Sequence, residues 1–323
     1  MTDTNQQLDH LSFEQAAQRP IPFDLALELT KAAKAGDRDA RLALAAALAG
    51  AAFAAPERSG TLYDAIAHGW LGVPVDAAPL SVADKALLPL TRAFWSAFWD
   101  LFDARASLDA GGVTMRVAAL GGLVSPDFQQ RAADASRAYP GVSDIDSSHV
   151  PARVQLDDLA ACPPGSLGNA FYRLIVDNKF DLEVLDRDAL ALSGLTPPLN
   201  YLNTRILQAH DLWHLVGGYD VTKLHEIAIS AFQLAQFGHS YSAMFLAFVM
   251  TAAAHGEPAG FPLAMDTIVS AWKHGRETPP MMRIAWEDVW QRSAQSIRDE
   301  YGIAPYSSPY PADILEQLDG LRA

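Results

Sequence analysis

The segment KALLPLTRAFWSAFWDLFDARA, residues 85–106, most narrows what this chain can fold into. Its Phe94, Phe98, Leu101 and Phe102 recur at i, i+4, i+7 and i+8, the spacing of one helix face. Pro89 is expected in the first turn or at a kink, because proline lacks the amide proton a helix interior needs. The same period runs through FDLALELTKAAKAG (23–36), which should end near Gly36. A helix then restarts in DRDARLALAAALAG, with Asp37 or Asp39 as its N-cap. There is no sustained alternating strand pattern, βαβ rhythm, dinucleotide glycine fingerprint or Walker loop. The expected class is all-α, a multi-helix bundle-like fold.

Further helices are expected over about 167–178, capped by Ser166, and over 183–193, 199–216, 221–254, 262–275 and 280–300. The stretch RAYPGVSDIDSSHVPARV (137–154) breaks the helical pattern with Pro, Gly, Ser and Asp. It divides the chain into residues 1–149 and 150–323, with one continuous fold as the alternative.

Composition restricts the partners. Half of the 323 residues are hydrophobic, enough for a sizeable core, and the formal net charge is −14. That charge repels phosphate backbones, so nucleic-acid binding is not expected. A single cysteine, Cys162, allows no intrachain disulfide and fits a reducing compartment. The N-terminus has no signal-peptide pattern. The apolar runs at 42–55 and 243–254 are shorter than the roughly 18 residues needed to span a bilayer. They read as buried core helices, with a wall facing an apolar ligand or the membrane surface as the alternative. The expected location is cytoplasmic, or peripheral on the inner face of a membrane.

The stretch HDLWHLVGGYDVTKLHE, residues 210–226, concentrates the chemistry. Residues four apart on a helix share a face, so His210 and His214 aim their imidazoles at one point. Asp211, about 100° round the helix, can reach the same point or orient a histidine. Gly217 and Gly218 should end this helix, and Asp220 or Thr222 should cap the next. Two consecutive antiparallel helices then bring Glu226 to face the histidines. Two imidazoles and one or two carboxylates make an N/O metal site, with zinc the first choice and iron or manganese the alternatives. The other histidines read differently. His225 points to another face, His239 reads as a spare polar contact, and His68, His149, His255 and His274 have no partner at ligand spacing. No GxSxG elbow is present, and Cys162 beside Pro163 has no nucleophile context.

HDxxH, eleven residues and a glutamate resembles the hallmark of the fourth coenzyme Q biosynthesis protein family, a ubiquinone-pathway family. Flanking segments are similar as well: PPGSLGNAFYRLIVDNKFD (163–181), Tyr201, Arg205, FQLAQFG (232–238), IVSAWKHGRE (268–277), WEDVW (286–290) and IRDEYGI (297–303). The resemblance covers roughly residues 155–305 and leaves the N-terminal helical region outside it. It implies a mostly helical fold and a zinc ion held by His210, Asp211, His214 and Glu226. It also implies a polyprenylated aromatic substrate, loss of the ring C1 carboxylate (in some members coupled to hydroxylation), peripheral membrane contact and other ubiquinone-biosynthesis proteins as partners.

On that resemblance the chain is expected to be a lyase acting on a polyprenyl hydroxybenzoate. Asp211 or Glu226 would move the proton, and Arg205 and Arg276 would anchor an anionic group of the substrate. Phe232, Phe237, Met244, Phe245, Phe248 and Met250 could line a prenyl tunnel or form ordinary core. Two other readings stand beside this one: a non-catalytic prenyl-lipid-binding component of a ubiquinone-synthesis complex, and an unrelated zinc hydrolase. Self-association into a homo-oligomer is compatible with all three.

Overall fold

The structure is a computed structural model that describes residues 2–80, 85–143, 145, 152–180, 182, 187–188, 190–256 and 259–320. Among them there are fifteen α-helices and no strand. In chain order they are α1 (Thr2–Ala17), α2 (Phe23–Lys34), α3 (Arg38–Ala54), α4 (Ser59–Leu71), α5 (Arg92–Ala104), α6 (Ala110–Leu120), α7 (Phe128–Ser136) and α8 (Leu156–Ala160). There follow α9 (Leu167–Asn178), α10 (Leu199–Gly217), α11 (Lys223–Phe237), α12 (Ser240–His255), α13 (Gly260–Glu277), α14 (Ala294–Tyr301) and α15 (Ile314–Gly320).

Capping follows the sequence closely. Asp37 caps α3, accepting from the Asp39 and Ala40 amides at 2.9 and 3.0 Å. Ser166 caps α9 through the Asn169 amide at 3.2 Å, and Thr222 caps α11 through the His225 amide. Three expectations are corrected. The helix placed from residue 85 starts at Arg92, because the Thr91 hydroxyl accepts the Phe94 amide at 3.2 Å and sets the start there. Pro89 therefore lies ahead of the helix and neither begins nor kinks it. The helix placed over 221–254 is two helices. Gly238 takes φ +66°, a left-handed conformation that ends α11, and its Cα faces the Tyr139 ring with no room for a side chain. The segment 280–300 resolves into two single 3₁₀ turns and α14. Of the helix expected over 183–193, residues 183–186 and 189 lie outside the described residues, as does His149; residues 187–188 and 190–191 form turns and Leu192–Gly194 a 3₁₀ turn.

The two long apolar runs find each other. Residues 42–55 fall largely on α3 and residues 243–254 on α12, and these helices pack together. Both are apolar around most of their circumference, the pattern of a helix enclosed by others. The alanines of α3 keep it slender enough to be surrounded. One apolar core extends from Phe13 to Tyr306, so helices on both sides of residue 149 share it. Within the expected boundary stretch 137–154, residues 144 and 146–151 lie outside those described. At the centre lies α11, against α10, α12, α13 and α15.

Candidate metal centre

Helix α10 carries His210, Asp211 and His214, and α11 carries Glu226 in its first turn. The reversal between them depends on Gly218, whose φ of +80° closes α10 in the left-handed cap expected of glycine. The last carbonyls of α10 are all satisfied. His214 O accepts from the Gly218 and Tyr219 amides at 3.0 Å, and Gly217 O accepts from the Tyr306 amide at 2.7 Å. The Arg298 guanidinium of α14 covers Leu215 O and Val216 O, both at 2.8 Å. A helix end fixed this thoroughly holds His214 at a defined place.

The geometry is tight. His210 Nε2 and His214 Nε2 lie 3.1 Å apart. The Glu226 carboxylate oxygens lie 3.4 Å from the first and 3.3 Å from the second. One ligand atom from each of His210, Asp211 and His214 falls within 4.8 Å of the others. Lone pairs crowd together this closely only with a proton or a cation among them. Ligands about 2.0–2.1 Å from a tetrahedral zinc stand about 3.3 Å from one another. These separations thus fit a bound metal, and the donors suit zinc. The site has a closed side and an open one: the His214 side chain is 1% exposed and the Glu226 side chain 46%.

Electrostatics agree. Burial alone would lift the Glu226 carboxyl, but hydrogen bonds to His210 and His214 and their charges hold it well below the usual carboxylate range. Burial alone would lower His210, but the Glu226 hydrogen bond and the charges of Glu226 and Asp211 raise it overall. The far side of each imidazole is also held. His214 Nδ1 faces the Tyr219 carbonyl at 3.2 Å. His210 Nδ1 faces the side-chain amide of Gln233 at 2.6 Å. Such partners fix ring orientation and tautomer at metal sites.

Several expected residues have other engagements. Arg205 is buried and binds Glu287 with both terminal nitrogens, at 2.5 and 2.8 Å, and Ile284 O at 3.4 Å. Arg276 binds Asp64 on α4 at 3.2 Å and the Ala78 carbonyl at 2.6 Å. Both guanidiniums are thus occupied by protein acceptors rather than presented with the histidines. Phe232, Phe237, Met244, Phe248 and Met250 are buried in the shared core, with Phe245 packed at its edge. His225 is buried and accepts the Asp220 amide at 2.7 Å, and His274 accepts the Tyr219 hydroxyl at 2.7 Å. Sequence reasoning passed over Gln233. It had a signal, since seven residues from Glu226 is two turns along the same face of α11.

An all-helical fold that brings two histidines and two carboxylates together from consecutive helices defines a helical protein with a candidate metal centre. The family model of the coenzyme Q (ubiquinone) biosynthesis protein Coq4 matches residues 144–307, and the chain belongs to that family. A relative from Eremothecium gossypii, "Ubiquinone biosynthesis protein COQ4, mitochondrial", is 28% identical over 174 residues, 52% of this chain and 48% of the relative. A homologue from Drosophila ananassae is 28% identical over 151 residues, 45% of this chain and 53% of its own. One from Rattus norvegicus is 24% identical over 163 residues, 47% and 56% respectively. The chain spans about half the length of these curated relatives. A crystal structure from Nostoc punctiforme is 27% identical and covers 65% of this chain and 96% of its own, with a TM-score of 0.49. The curated relatives are named as mitochondrial proteins, which does not match the cytoplasmic location expected from the sequence. Among the described residues no helix is long and apolar enough to cross a membrane.

Proposed function

We propose that this chain acts in ubiquinone biosynthesis by metal-dependent removal of the C1 carboxylate from a prenylated 4-hydroxybenzoate-type intermediate. The observation that carries the reading is the convergence of His210, His214 and Glu226 within 3.1–3.4 Å, with Asp211 alongside, in a member of this family. His210, His214 and Glu226 would hold the ion, with Asp211 as a fourth donor or as the neighbouring proton carrier. A bound zinc would supply Lewis acidity toward a carboxylate or phenolic oxygen.

The chain's own residues divide the remaining work. Glu226, held well below the usual carboxylate range, stays ionised and suits ligation rather than proton delivery. The proton falls to Asp211, which would give it to ring C1, para to the phenolic oxygen. The C1–carboxylate bond then breaks, carbon dioxide leaves, and its bonding pair restores the aromatic ring. Water on the open side of the site returns a proton to Asp211. The substrate would approach across that side, and its prenyl chain calls for contact with a membrane surface or with other ubiquinone-biosynthesis proteins.

The test is complementation of a strain lacking its own protein of this family, followed by analysis of its quinones. Wild type should restore ubiquinone, while Asp211→Asn and Glu226→Ala should accumulate a C1-carboxylated prenyl intermediate. Normal ubiquinone from a strain carrying only Glu226→Ala would overturn the reading.

A further inference from the structure

Gln233 links the candidate metal centre to groups with no assigned role. Its Nε2 lies 2.6 Å from His210 Nδ1, and its Oε1 lies 3.3 Å from Ser242 Oγ. Ser242 Oγ lies 2.9 Å from Nδ1 of His239, the residue that opens α12. Four side chains from three helices thus form an unbroken polar string. Gln233 and Ser242 are 3% and 1% exposed, so each depends on the string for its partners.

The direction of this string bears on His210. An amide nitrogen facing His210 donates to Nδ1, which puts the imidazole proton on Nε2 and hence toward Glu226. Ligation needs the opposite: a bare Nε2 and a protonated Nδ1 that donates to an oxygen. An amide meets either demand by turning over, because its two ends have nearly the same shape.

We propose that Gln233, Ser242 and His239 form a reversible hydrogen-bond string that selects the tautomer of His210, running toward His210 without metal and away from it with metal. The inference rests on the metal reading above. When His210 is neutral and metal-free, His239 Nδ1–H donates to Ser242, Ser242 to Gln233 Oε1, Gln233 Nε2–H to His210 Nδ1, and His210 Nε2–H to Glu226. With a metal on His210 Nε2, its Nδ1–H donates to Gln233 Oε1, Gln233 Nε2–H to Ser242, and Ser242 to His239 Nδ1. No proton is gained or lost: each imidazole shifts one proton between its nitrogens. Desolvation first, and the nearby His210 charge second, hold His239 down at about 3. That ring stays neutral, with one nitrogen always able to accept.

The full-length protein labelled with ¹⁵N-histidine tests this at about pH 9, where histidine is ordinarily neutral. Zinc loading should move His239 from its Nδ1–H to its Nε2–H form. Gln233→Leu should weaken zinc binding by about 10–100-fold, the usual loss for such a partner. Gln233→Glu, which offers Nδ1–H only acceptors, should restore binding to within a few-fold. Ser242→Ala leaves Gln233 and all proposed ligands in place and should uncouple the His239 tautomer from zinc. A wild type that takes up no zinc overturns both the metal reading and the string. Zinc uptake with an unchanged His239 tautomer, or Gln233→Leu binding as tightly as wild type, overturns the string alone.

Discussion

His210 and His214 hold their Nε2 atoms 3.1 Å apart across one helical turn, closer than two uncharged acceptors tolerate. The Glu226 carboxylate caps both from the next helix. This relationship would make metal uptake a proton-linked event. Because the pKa of His210 is raised in the metal-free protein, a proton must leave Nε2 before ligation near neutral pH. Affinity should therefore fall as pH falls below the raised value and level off above it. Calorimetric zinc titrations in buffers of different ionisation enthalpy should show more proton release near pH 6.5 than near pH 9. Affinity independent of pH across that range would contradict the assignment of His210.

Arg205 and Glu287 form a structural ion pair that fixes α10 against the turn at Trp286–Asp288. Glu287→Ala should destabilise the fold by about 2 kcal/mol, because it strands a guanidinium that is 4% exposed. The half-exposed carboxylate keeps the cost below that of a fully buried pair. Burial opposes ionisation of Glu287, but the Arg205 bond and charge outweigh it and depress its pKa. The pair's contribution is thus present above the ordinary carboxylate pKa and is lost as pH falls through the folded value. Chemical denaturation between about pH 5 and pH 3 should show a shallower acid loss in Glu287→Gln than in wild type. Parallel slopes would remove this account of Arg205 and reopen its role toward a substrate.

Glu57 and Arg131 make the corresponding pair in the N-terminal half, buried on both sides, with Arg131 Nη1 also on the Ala86 carbonyl at 2.7 Å. Either single replacement, Glu57→Leu or Arg131→Met, should cost about 3–5 kcal/mol, since it leaves a buried charge without a partner. The double variant Glu57→Leu with Arg131→Met should recover most of that loss. A double-mutant cycle that is simply additive would contradict the pairing.

Gly218→Ala should cost more than the about 1–2 kcal/mol of a left-handed non-glycine residue. A Cβ there would stand 2.8 Å from Pro305 Cβ and 3.1 Å from the Tyr306 amide nitrogen. The same turn presents the Tyr219 carbonyl to His214 Nδ1, so zinc affinity should drop along with Tm. A variant with lowered Tm and unchanged zinc affinity would separate the turn from the site.

The legible and illegible parts of this chain follow from the range of the interactions involved. Helical period and short-range caps are local, so α3, α9 and α10 and their Asp37, Ser166 and Gly218 boundaries could be read directly. The metal-type cluster was legible for the same reason, since i, i+4 spacing and one tight turn determine it. The start of α5 at Arg92 and the break at Gly238 were misjudged because periodicity runs through a cap or a glycine without showing which one ends the helix. The engagements of Arg205 and Arg276 were hidden because Glu287 and Asp64 lie 82 and 212 residues away in the chain. Nothing local to either arginine announces such a partner.

Metal content of the purified chain, measured by mass spectrometry of wild type and of His214→Ala, tests the central claim most directly. The account predicts about one zinc per chain in wild type and almost none in a His214→Ala protein whose helical circular dichroism is unchanged. A metal-free wild type that stays metal-free after incubation with zinc, or a folded His214→Ala protein that keeps its full complement, would contradict it.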